Sequence, residues 1–341
     1  MKVKRLPRPV VLGAVIICLV LYLTTQLWTS KNNTANLSYD KFKYSINPVN
    51  MCLNDKKESG EIFLLILMSS ATINFSQREE QRLSLLKSSK TFELKIRTVF
   101  LLGSTHDVLI TTGIYEESEK YNDILMQNFI DSYNNLTYKT LMGLKWTSVY
   151  CPQVAYVMKT DDDVYLNLDN IVTLLKMAPK QDYAVGHVFE HNQPCREKTS
   201  KWYIAEEDFP APVYPPYLSG MAYVMTGDLA IKIWETSCLV PFIFLEDVYI
   251  GLVIDKLNIR PNTNPCFIYS NDIDYPLCAY IRACAVHMKR SESVIDKTEL
   301  VVRNIKLTTC LDVICYNPYA RIRNRKYNQC NIDQVIYDSS N

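Results

Sequence analysis

Three consecutive aspartates, Asp161 to Asp163, stand close behind a short apolar run at residues 154–158. A run of that length is typical of a buried strand, and the acidic turn after it places oxygen ligands at the carboxyl edge of a sheet. Open α/β folds bind their ligands at that edge, and carboxylate oxygens suit Mg²⁺ or Mn²⁺. The pattern therefore favours an α/β fold with a hard-metal site that can neutralise a diphosphate. A solvated acidic turn that caps the next helix is the alternative interpretation.

From residue 61 onward the chain alternates short apolar runs with helical patterns, which indicates an α/β domain. Residues 189–216 are rich in proline, charged and aromatic residues, and a loop of that length in a compact domain is often functional. The apolar runs predict strands at 62–68, 94–102, 154–158 and 183–188, with a further apolar run at 221–225. The periodic segments predict helices at 78–88, 116–130, 137–149, 168–177, 227–236 and 246–257.

The amino-terminal segment has the composition of a membrane anchor. Four basic residues precede an apolar stretch at residues 10–28, which is long enough to cross the hydrocarbon core as a helix. Basic residues on its amino side favour a cytosolic amino terminus. We therefore expect a type II protein with a cytoplasmic tail at 1–9, a transmembrane signal anchor at 10–28, a lumenal stem at 29–58 and a globular domain at 59–341. A cleaved signal peptide is the competing interpretation.

Ten of the eleven cysteines lie beyond this anchor, from Cys52 to Cys330. An even number in an oxidising compartment allows up to five disulfide bridges, and the spacing leaves their pairing open. No histidine stands at ligand spacing from a cysteine pair, which argues against a structural zinc site. Acceptor triplets for N-glycans also occur on the proposed lumenal side, at Asn32, Asn36, Asn74 and Asn135.

The charge of the chain is balanced, with 37 basic and 36 acidic residues and a formal net charge of +1. This balance gives no reason to expect nucleic acid as a partner. Apolar residues make up 48% of the chain and tyrosine occurs 23 times, which indicates a packed globular body rich in aromatic residues.

A second acidic pair, Glu246 and Asp247, stands at the start of a predicted helix, directly after the apolar residues 242–245. The amino terminus of a helix stabilises the anionic form of a carboxylate. Such a carboxylate can take the proton of an attacking hydroxyl group, so the pair is a candidate general base. A simple acidic N-cap is the alternative.

The order of these parts resembles the family of β-1,3-glycosyltransferases that contains galactosyl- and N-acetylglucosaminyltransferases, glycosyltransferase family 31. The likeness spans most of the proposed lumenal domain, and the ordered set is specific although no single segment is. The segments that carry it are Val99-Phe100-Leu101-Leu102-Gly103, Glu117, Tyr121-Asn122-Asp123-Ile124, residues 129–140, Trp146, Cys151, Lys159-Thr160-Asp161-Asp162-Asp163-Val164, Pro194, Arg196, Lys201-Trp202-Tyr203, residues 214–220, Tyr223-Val224 and Glu246-Asp247-Val248.

The resemblance implies a GT-A-type nucleotide-sugar-binding fold, with a mixed, mostly parallel sheet flanked by helices, behind a single transmembrane helix. It also implies a UDP-sugar donor and Mn²⁺ as the cofactor, held mainly through Asp163, with His287 beside the metal and Asp161 near the ribose or the ion. By the same likeness Asp247 is the catalytic base, and the anomeric carbon is inverted by direct displacement. A structural or exposed role is the alternative for His287.

The likeness assigns further residues to the donor and acceptor surface. Trp202 and Tyr217 could stack on the apolar face of a sugar, although buried aromatic residues more often fill a core. Gly220 could allow the backbone to approach a ligand, with a plain turn glycine as the alternative. Ser219 is part of the same surface. The predicted cofactor-binding residues are Asp161, Asp162, Arg78, Arg82, Lys201, Trp202, Tyr217, Gly220 and Glu246.

One segment departs from the family pattern. The usual opening, Arg-x-x-Ile-Arg-x-Thr-Trp, appears here as residues 78–85 without the isoleucine and the tryptophan. Both arginines, Arg78 and Arg82, remain available for phosphate binding or for structural pairing.

Together these features predict an inverting, metal-dependent β-1,3-galactosyltransferase. It would transfer galactose from UDP-galactose to the glycan of a glycoprotein or glycolipid, with its catalytic domain in the lumen and its anchor in the Golgi membrane. The Glu-Asp-Val form of the second acidic motif is closer to the galactosyl branch than to the N-acetylglucosaminyl branch. The alternatives are an N-acetylglucosaminyl- or N-acetylgalactosaminyltransferase of the same family, an inactive lumenal glycan-binding protein and a nucleotide-sugar hydrolase.

Overall fold

The computed structural model describes residues 41–53, 61–88, 94–270, 274–289 and 291–304. The predicted anchor at 10–28 and the glycan triplets at Asn32 and Asn36 lie outside these residues. Within the described ranges, no helix is long and apolar enough to span a bilayer.

Eleven strands lie in the described part of the chain and form two sheets. They are β1 Tyr44–Ile46, β2 Leu64–Ser69, β3 Ile96–Ser104, β4 Ile124–Ile130, β5 Tyr156–Asp161, β6 Val164–Leu166, β7 Ala184–Phe189, β8 Tyr217–Thr226, β9 Asn262–Thr263, β10 Phe267–Ile268 and β11 Ala285–His287. The larger sheet has the order β1-β4-β3-β2-β5-β8-β7-β9, and the smaller has the order β10-β11-β6.

The larger sheet is mixed, with a parallel centre. Strands β4, β3, β2 and β5 run parallel, whereas β8 runs antiparallel to β5 and β7 antiparallel to β8. Ser69 pairs with Asp161, so the carboxyl ends of β2 and β5 meet at one edge. The predicted mixed α/β class is confirmed.

The helices of the described residues begin and end close to most predicted bounds. They are α1 Phe75–Ser88, α2 Val108–Tyr121, α3 Leu136–Tyr150, α4 Leu168–Met177, α5 Gly227–Ser237, α6 Glu246–Lys256, α7 Leu277–Arg282 and α8 Val294–Asn304.

The helix predicted at 116–130 is wrong, because this stretch holds the end of α2 and the whole of β4. Asn122 adopts a left-handed conformation with φ of 50°, and its backbone N–H donates to the Ser118 carbonyl, which ends the helix. The apolar residues after it, Ile124, Leu125 and Met126, are buried in the parallel sheet. The sequence of a fully buried strand is a continuous apolar run. Periodicity alone cannot distinguish such a run from a buried helix.

Part of the predicted stem belongs to the folded domain. Strand β1 pairs with β4, and Cys52 forms a disulfide with Cys151 at the end of α3. The compact unit therefore begins at Lys43 rather than at residue 59. The strand has only three residues, which is too short to stand out among polar neighbours.

The smaller sheet brings a distant segment beside the acidic turn. Strand β6 follows the turn, and β11 pairs with it so that His287 lies opposite Val164. A second disulfide joins Cys266 and Cys284, which precede β10 and β11. Cys195 is also disulfide-bonded. The sheet therefore fixes the position of His287 relative to the aspartates.

Candidate active site

The carboxylates of the acidic turn diverge, and that of Asp162 points into the protein. It accepts hydrogen bonds from Ser70 Oγ at 2.6 Å and from Asn74 Nδ2 at 3.0 Å. Gln81 Nε2 donates to the Asp162 carbonyl at 2.9 Å. Asp162 is buried and does not line the cleft described below. Its contacts hold the turn against α1 and the loop before it, which differs from the predicted role in cofactor binding.

Asp163 and His287 form a pair whose atoms fit a divalent cation. The Oδ2 of Asp163 lies 3.5 Å from Nε2 of His287, and both side chains are partly exposed. The Nδ1 atom of His287 lies 3.1 Å from the Tyr269 carbonyl oxygen. A proton on Nδ1 can donate to that carbonyl, which leaves the lone pair of Nε2 on the Asp163 side. A carboxylate oxygen suits Mn²⁺, and an imidazole nitrogen is a common ligand of divalent transition metals.

The described residues hold no group of three or more acidic, histidine or cysteine side chains placed to bind a metal. Asp163 and His287 are the candidate donors that the acidic turn and β11 bring together. A hard cation held by few protein groups completes its coordination with substrate phosphates and water. Burial alone would lower the pKa of His287, but the Asp163 carboxylate raises it. Burial would raise the pKa of Asp163, but His287 lowers it.

Lys159 is a buried cation between the two acidic motifs. Its Nζ donates to Oδ1 of Asp161 at 2.8 Å and to the Gly220 carbonyl, and it lies 3.5 Å from Oε2 of Glu246. The other carboxylate oxygen of Glu246 accepts a hydrogen bond from the Tyr223 hydroxyl at 2.7 Å. Burial would lower the pKa of Lys159, but the surrounding carboxylates raise it. The lysine therefore stays charged and links β5, β8 and the start of α6.

Gly220 lets strand β8 approach the start of α6 closely. A Cβ atom at this position would lie 3.3 Å from Cβ of Asp247 and 3.3 Å from Oε2 of Glu246. One carboxylate oxygen of Asp247 accepts a hydrogen bond from the Val248 N–H at 2.9 Å. The close approach holds the Asp247 side chain against the strand.

The pKa values of two aspartates are raised. Burial, with the neighbouring charge of Glu246, raises the pKa of Asp247 to about 6. Burial also raises the pKa of Asp161 to about 6, although Lys159 opposes this shift. A carboxylate with a pKa near 6 is ionised at neutral pH and is a stronger base than an ordinary aspartate, which suits proton abstraction.

The two acidic motifs and the histidine open into one cleft of about 280 Å³. Asp163 does not line the cleft, but His287, which lies 3.5 Å from it, does. The predicted site residues that line the cleft are Asp161, Lys201, Trp202, Ser219, Gly220, Glu246, Asp247 and His287. The remaining lining residues are Tyr133, Leu136, Lys159, Phe189, Asn192, Met221, Phe244, Leu245 and Tyr269.

Arg78 and Arg82 lie in an ion-pair network and do not line this cleft. Arg78 is fully buried, and its Nε and Nη2 donate to Glu117 at 2.7–3.1 Å. Arg82 donates to Asp123 at 2.8 Å through two nitrogens and lies 2.7 Å from Glu117. The sequence had left two roles open for these arginines, phosphate binding and structural pairing. The geometry favours structural pairing. Helix α1 turns both guanidinium groups toward α2 and the loop after it.

Tyr217, another predicted ligand-binding residue, is buried behind the cleft. Its hydroxyl accepts a hydrogen bond from Asn192 Nδ2 at 2.9 Å, and its ring contacts Phe189 at a centroid distance of 5.3 Å. A Cβ atom at Gly251 would lie 2.4 Å from Cβ of Tyr217, so the glycine is needed for α6 to pack here. Tyr217 supports Asn192 and Phe189, and these two residues line the cleft.

The two predicted N-glycan acceptors in the described residues both use their amide nitrogen in the fold. Asn74 Nδ2 donates to Asp162 at 3.0 Å, and Asn135 Nδ2 donates to the Ile130 carbonyl at 2.7 Å. A glycan would replace one of the two Nδ2 hydrogens at either position and leave a single N–H to donate this hydrogen bond.

Sequence reasoning missed Lys159, Tyr133 and Asn192 as site residues. From the sequence, a lysine beside an acidic turn is expected to be exposed to solvent. Lys159 is buried because β5 lies in the centre of the sheet. Asn192 stands in the loop after β7, and Tyr133 begins a short 3₁₀ helix before α3, and neither segment carries a periodic signal. For Asn192 the usable signal was the length of the loop at 189–216.

The chain matches the family model described as Galactosyltransferase over residues 76–265. Beta-1,3-galactosyltransferase 1 of Mus musculus is 37% identical over 264 residues, which cover 76% of this chain and 79% of that protein. Beta-1,3-galactosyltransferase 5 of Homo sapiens is 34% identical over 238 residues, which cover 69% of this chain and 76% of that protein. Among solved structures, the galactosyltransferase LgtC in complex with donor and acceptor sugar analogs is similar with a TM-score of 0.40 and 12% identity, over 70% of this chain and 95% of that chain.

Proposed function

The chain belongs to the galactosyltransferase family, glycosyltransferase family 31, and we propose that this hexosyltransferase transfers galactose from UDP-galactose to a hydroxyl group of a glycan. The proposal includes inversion at the anomeric carbon, a β-1,3 linkage and dependence on Mn²⁺. Its acceptor would be the glycan of a glycoprotein or glycolipid.

One observation carries the chemical part of the proposal. Asp247, Asp161 and His287 come from three distant segments, and all three line the same cleft. A candidate base and a candidate cation site must share one cavity if the base is to activate the attacking hydroxyl group and the cation the leaving diphosphate at the same anomeric carbon.

Asp247 is the residue that we assign as the general base. Its carboxylate takes the proton of the acceptor hydroxyl while the hydroxyl oxygen bonds to the anomeric carbon. The bond between that carbon and the diphosphate oxygen breaks, its electron pair leaves with UDP, and the configuration inverts. The raised pKa of Asp247 makes it a stronger base while leaving it ionised at neutral pH.

Asp163 and His287 would hold the cation, since their donor atoms lie 3.5 Å apart and His287 lines the cleft. When bound there, Mn²⁺ supplies Lewis-acid neutralisation of the departing diphosphate. Lys159 contributes a fixed positive charge beside Asp161, and its contact with Glu246 holds the start of α6. The indole of Trp202 gives the cleft an aromatic wall on which a sugar ring can stack.

We also propose a lumenal catalytic domain, anchored in the Golgi membrane through residues 10–28. Disulfides persist in oxidising compartments and are rare in the cytosol. The bridges Cys52–Cys151 and Cys266–Cys284 support this placement.

A donor panel tests the proposal directly. The purified lumenal domain is incubated with UDP-galactose, UDP-N-acetylglucosamine or UDP-N-acetylgalactosamine, a mixed glycan array, and either Mn²⁺ or EDTA. Transfer from UDP-galactose that requires the cation is the expected result. Selective use of an amino sugar would replace the donor assignment, and free galactose without transferred galactose would indicate a hydrolase. Binding of glycan without any turnover would indicate an inactive binding protein.

A further inference from the structure

A second cavity, of about 470 Å³, lies at the carboxyl-terminal end of α6. Three segments form it: the loop after β7, the residues before β8 and the turn between α6 and β9. The lining residues that matter here are Glu190, His191, Tyr214, Asp255, Arg260 and Pro261.

This cavity and the active-site cleft share a wall. Phe189 and Asn192 line the cleft, and the two residues between them in sequence line the cavity. The Tyr214 N–H donates to the Asn192 carbonyl at 2.9 Å, and Asn192 Nδ2 donates to the Tyr217 hydroxyl at 2.9 Å. These bonds tie the short segment to β8 and to the residues before it, so this segment separates the cleft from the cavity.

Helix α6 gives the scale of that separation. Asp247 in its first turn lines the cleft, and Asp255 in its last turn lines the cavity. At a rise of about 1.5 Å per residue, the eight steps between them span about 12 Å along the helix axis. A single sugar bound beside Asp247 would not reach the cavity, whereas an oligosaccharide of several sugars would.

The lining of the cavity suits a neutral glycan. Two carboxylates and one guanidinium group give a net charge of −1 when His191 is counted as neutral, and Pro261 adds apolar surface. Sugar hydroxyl groups both donate and accept hydrogen bonds, so they match a lining that offers both. The net negative charge disfavours a sialylated or sulfated chain.

The ion pair at the mouth of the cavity contributes little to folding. Arg260 Nη2 lies 3.0 Å from Oε1 of Glu190, and the two side chains are 80% and 44% exposed. Exposed pairs of this kind contribute little to the stability of a protein. Substitutions here therefore probe binding without unfolding the chain.

We propose that this cavity is a distal subsite for the acceptor, which takes a sugar several units away from the reacting hydroxyl group of a neutral oligosaccharide. The inference rests on the function proposed above. It identifies the preferred acceptor as an extended neutral chain rather than a single sugar.

Acceptors of two lengths test the subsite. The probes are the methyl β-glycosides of galactose and N-acetylglucosamine, and neutral tetrasaccharides that end in the same two sugars. For the terminal sugar that wild type uses more efficiently, the KM of the tetrasaccharide should be lower than the KM of the methyl glycoside of the same sugar. Arg260→Ala and Asp255→Asn should each raise the tetrasaccharide KM by about three- to tenfold, the value of one lost hydrogen bond. The KM of the methyl glycoside and of UDP-galactose should stay unchanged.

Lys232→Ala is the matched control, because Lys232 forms an exposed ion pair on α5 and lines neither the cleft nor the cavity. It should leave both acceptors unaffected. Equal KM values for long and short acceptors in wild type, or equal changes for both in the variants, would overturn the subsite while leaving the proposed function in place. A wild type that transfers galactose to none of the probes, nor to the mixed array, would instead remove the proposed function and the subsite with it.

Discussion

Lys159 and Glu246 lie 3.5 Å apart, Nζ to Oε2, and their side chains are only 4% and 5% exposed. The lysine belongs to β5, two residues before Asp161, and the glutamate begins α6, directly before the candidate base. This buried pair therefore sets the distance between the two acidic motifs. Its members also bond to Gly220 and Tyr223 of β8, the strand next to β5 in the sheet.

Replacing Lys159 by methionine should destabilise the domain strongly. The substitution keeps the length of the side chain but leaves Glu246 buried without its cation, which costs about 3–5 kcal/mol. The measurement is the free energy of unfolding in urea. Lys232→Met is the control, because its ion pairs are exposed and contribute at most about 1 kcal/mol. Similar losses for the two variants would contradict the role assigned to Lys159.

Asp247→Asn should remove most transfer while leaving donor binding intact. The amide keeps the size of the side chain but cannot accept the proton, and general-base catalysis contributes about 10²- to 10⁴-fold. Initial rates give the loss in kcat, and calorimetry with UDP and Mn²⁺ checks binding. A variant that transfers galactose as fast as wild type would show that the base is another residue.

Activity should fall in mild acid. The pKa of Asp247 is raised to about 6, and only the ionised carboxylate accepts a proton. The value of kcat/KM should therefore be level above pH 6 and decline about tenfold per unit as the pH falls below it. A pH profile of kcat/KM at saturating Mn²⁺ measures this limb. An acid limb near pH 4, the range of an ordinary aspartate, would contradict the raised value.

The neighbouring aspartates Asp162 and Asp163 should give opposite phenotypes. Asp163→Ala and His287→Ala should weaken cation-dependent UDP binding by at least about tenfold, in line with the cost of disturbing a metal site, with little effect on folding. Asp162→Ala should lower stability instead, because Ser70 and Asn74 lose a buried acceptor. Calorimetry and thermal unfolding, applied to all three variants, separate the two effects. Unchanged UDP binding in the first two would remove the proposed cation site.

Much of the site could be predicted because it lies next to strands. Asp161 follows a buried apolar run, and such a run places the residue after it at a sheet edge in any α/β fold. The pairing of Asp163 with His287 had no such local basis, because it depends on β11 lying against β6. Only the family resemblance had pointed to that histidine.

The errors have equally local causes. Residues 116–130 were predicted as one helix because apolar positions in a buried parallel strand carry no period of two. For Arg78 and Arg82 both nucleotide binding and structural pairing were open, because a guanidinium group suits phosphate and carboxylate alike. In the structure the guanidinium groups pair with a carboxylate, because Glu117 of α2 faces α1. No sequence pattern reveals that packing of α2 against α1.

The bridge between Cys266 and Cys284 has a practical consequence. Cys284 stands three residues before His287 and hydrogen-bonds to the Cys266 carbonyl through its own N–H at 2.7 Å. The histidine is thus tethered by a covalent link that forms only where thiols are oxidised. Protein expressed in a reducing bacterial cytoplasm would lack that tether, so secretion during recombinant production is the route to a correctly assembled centre.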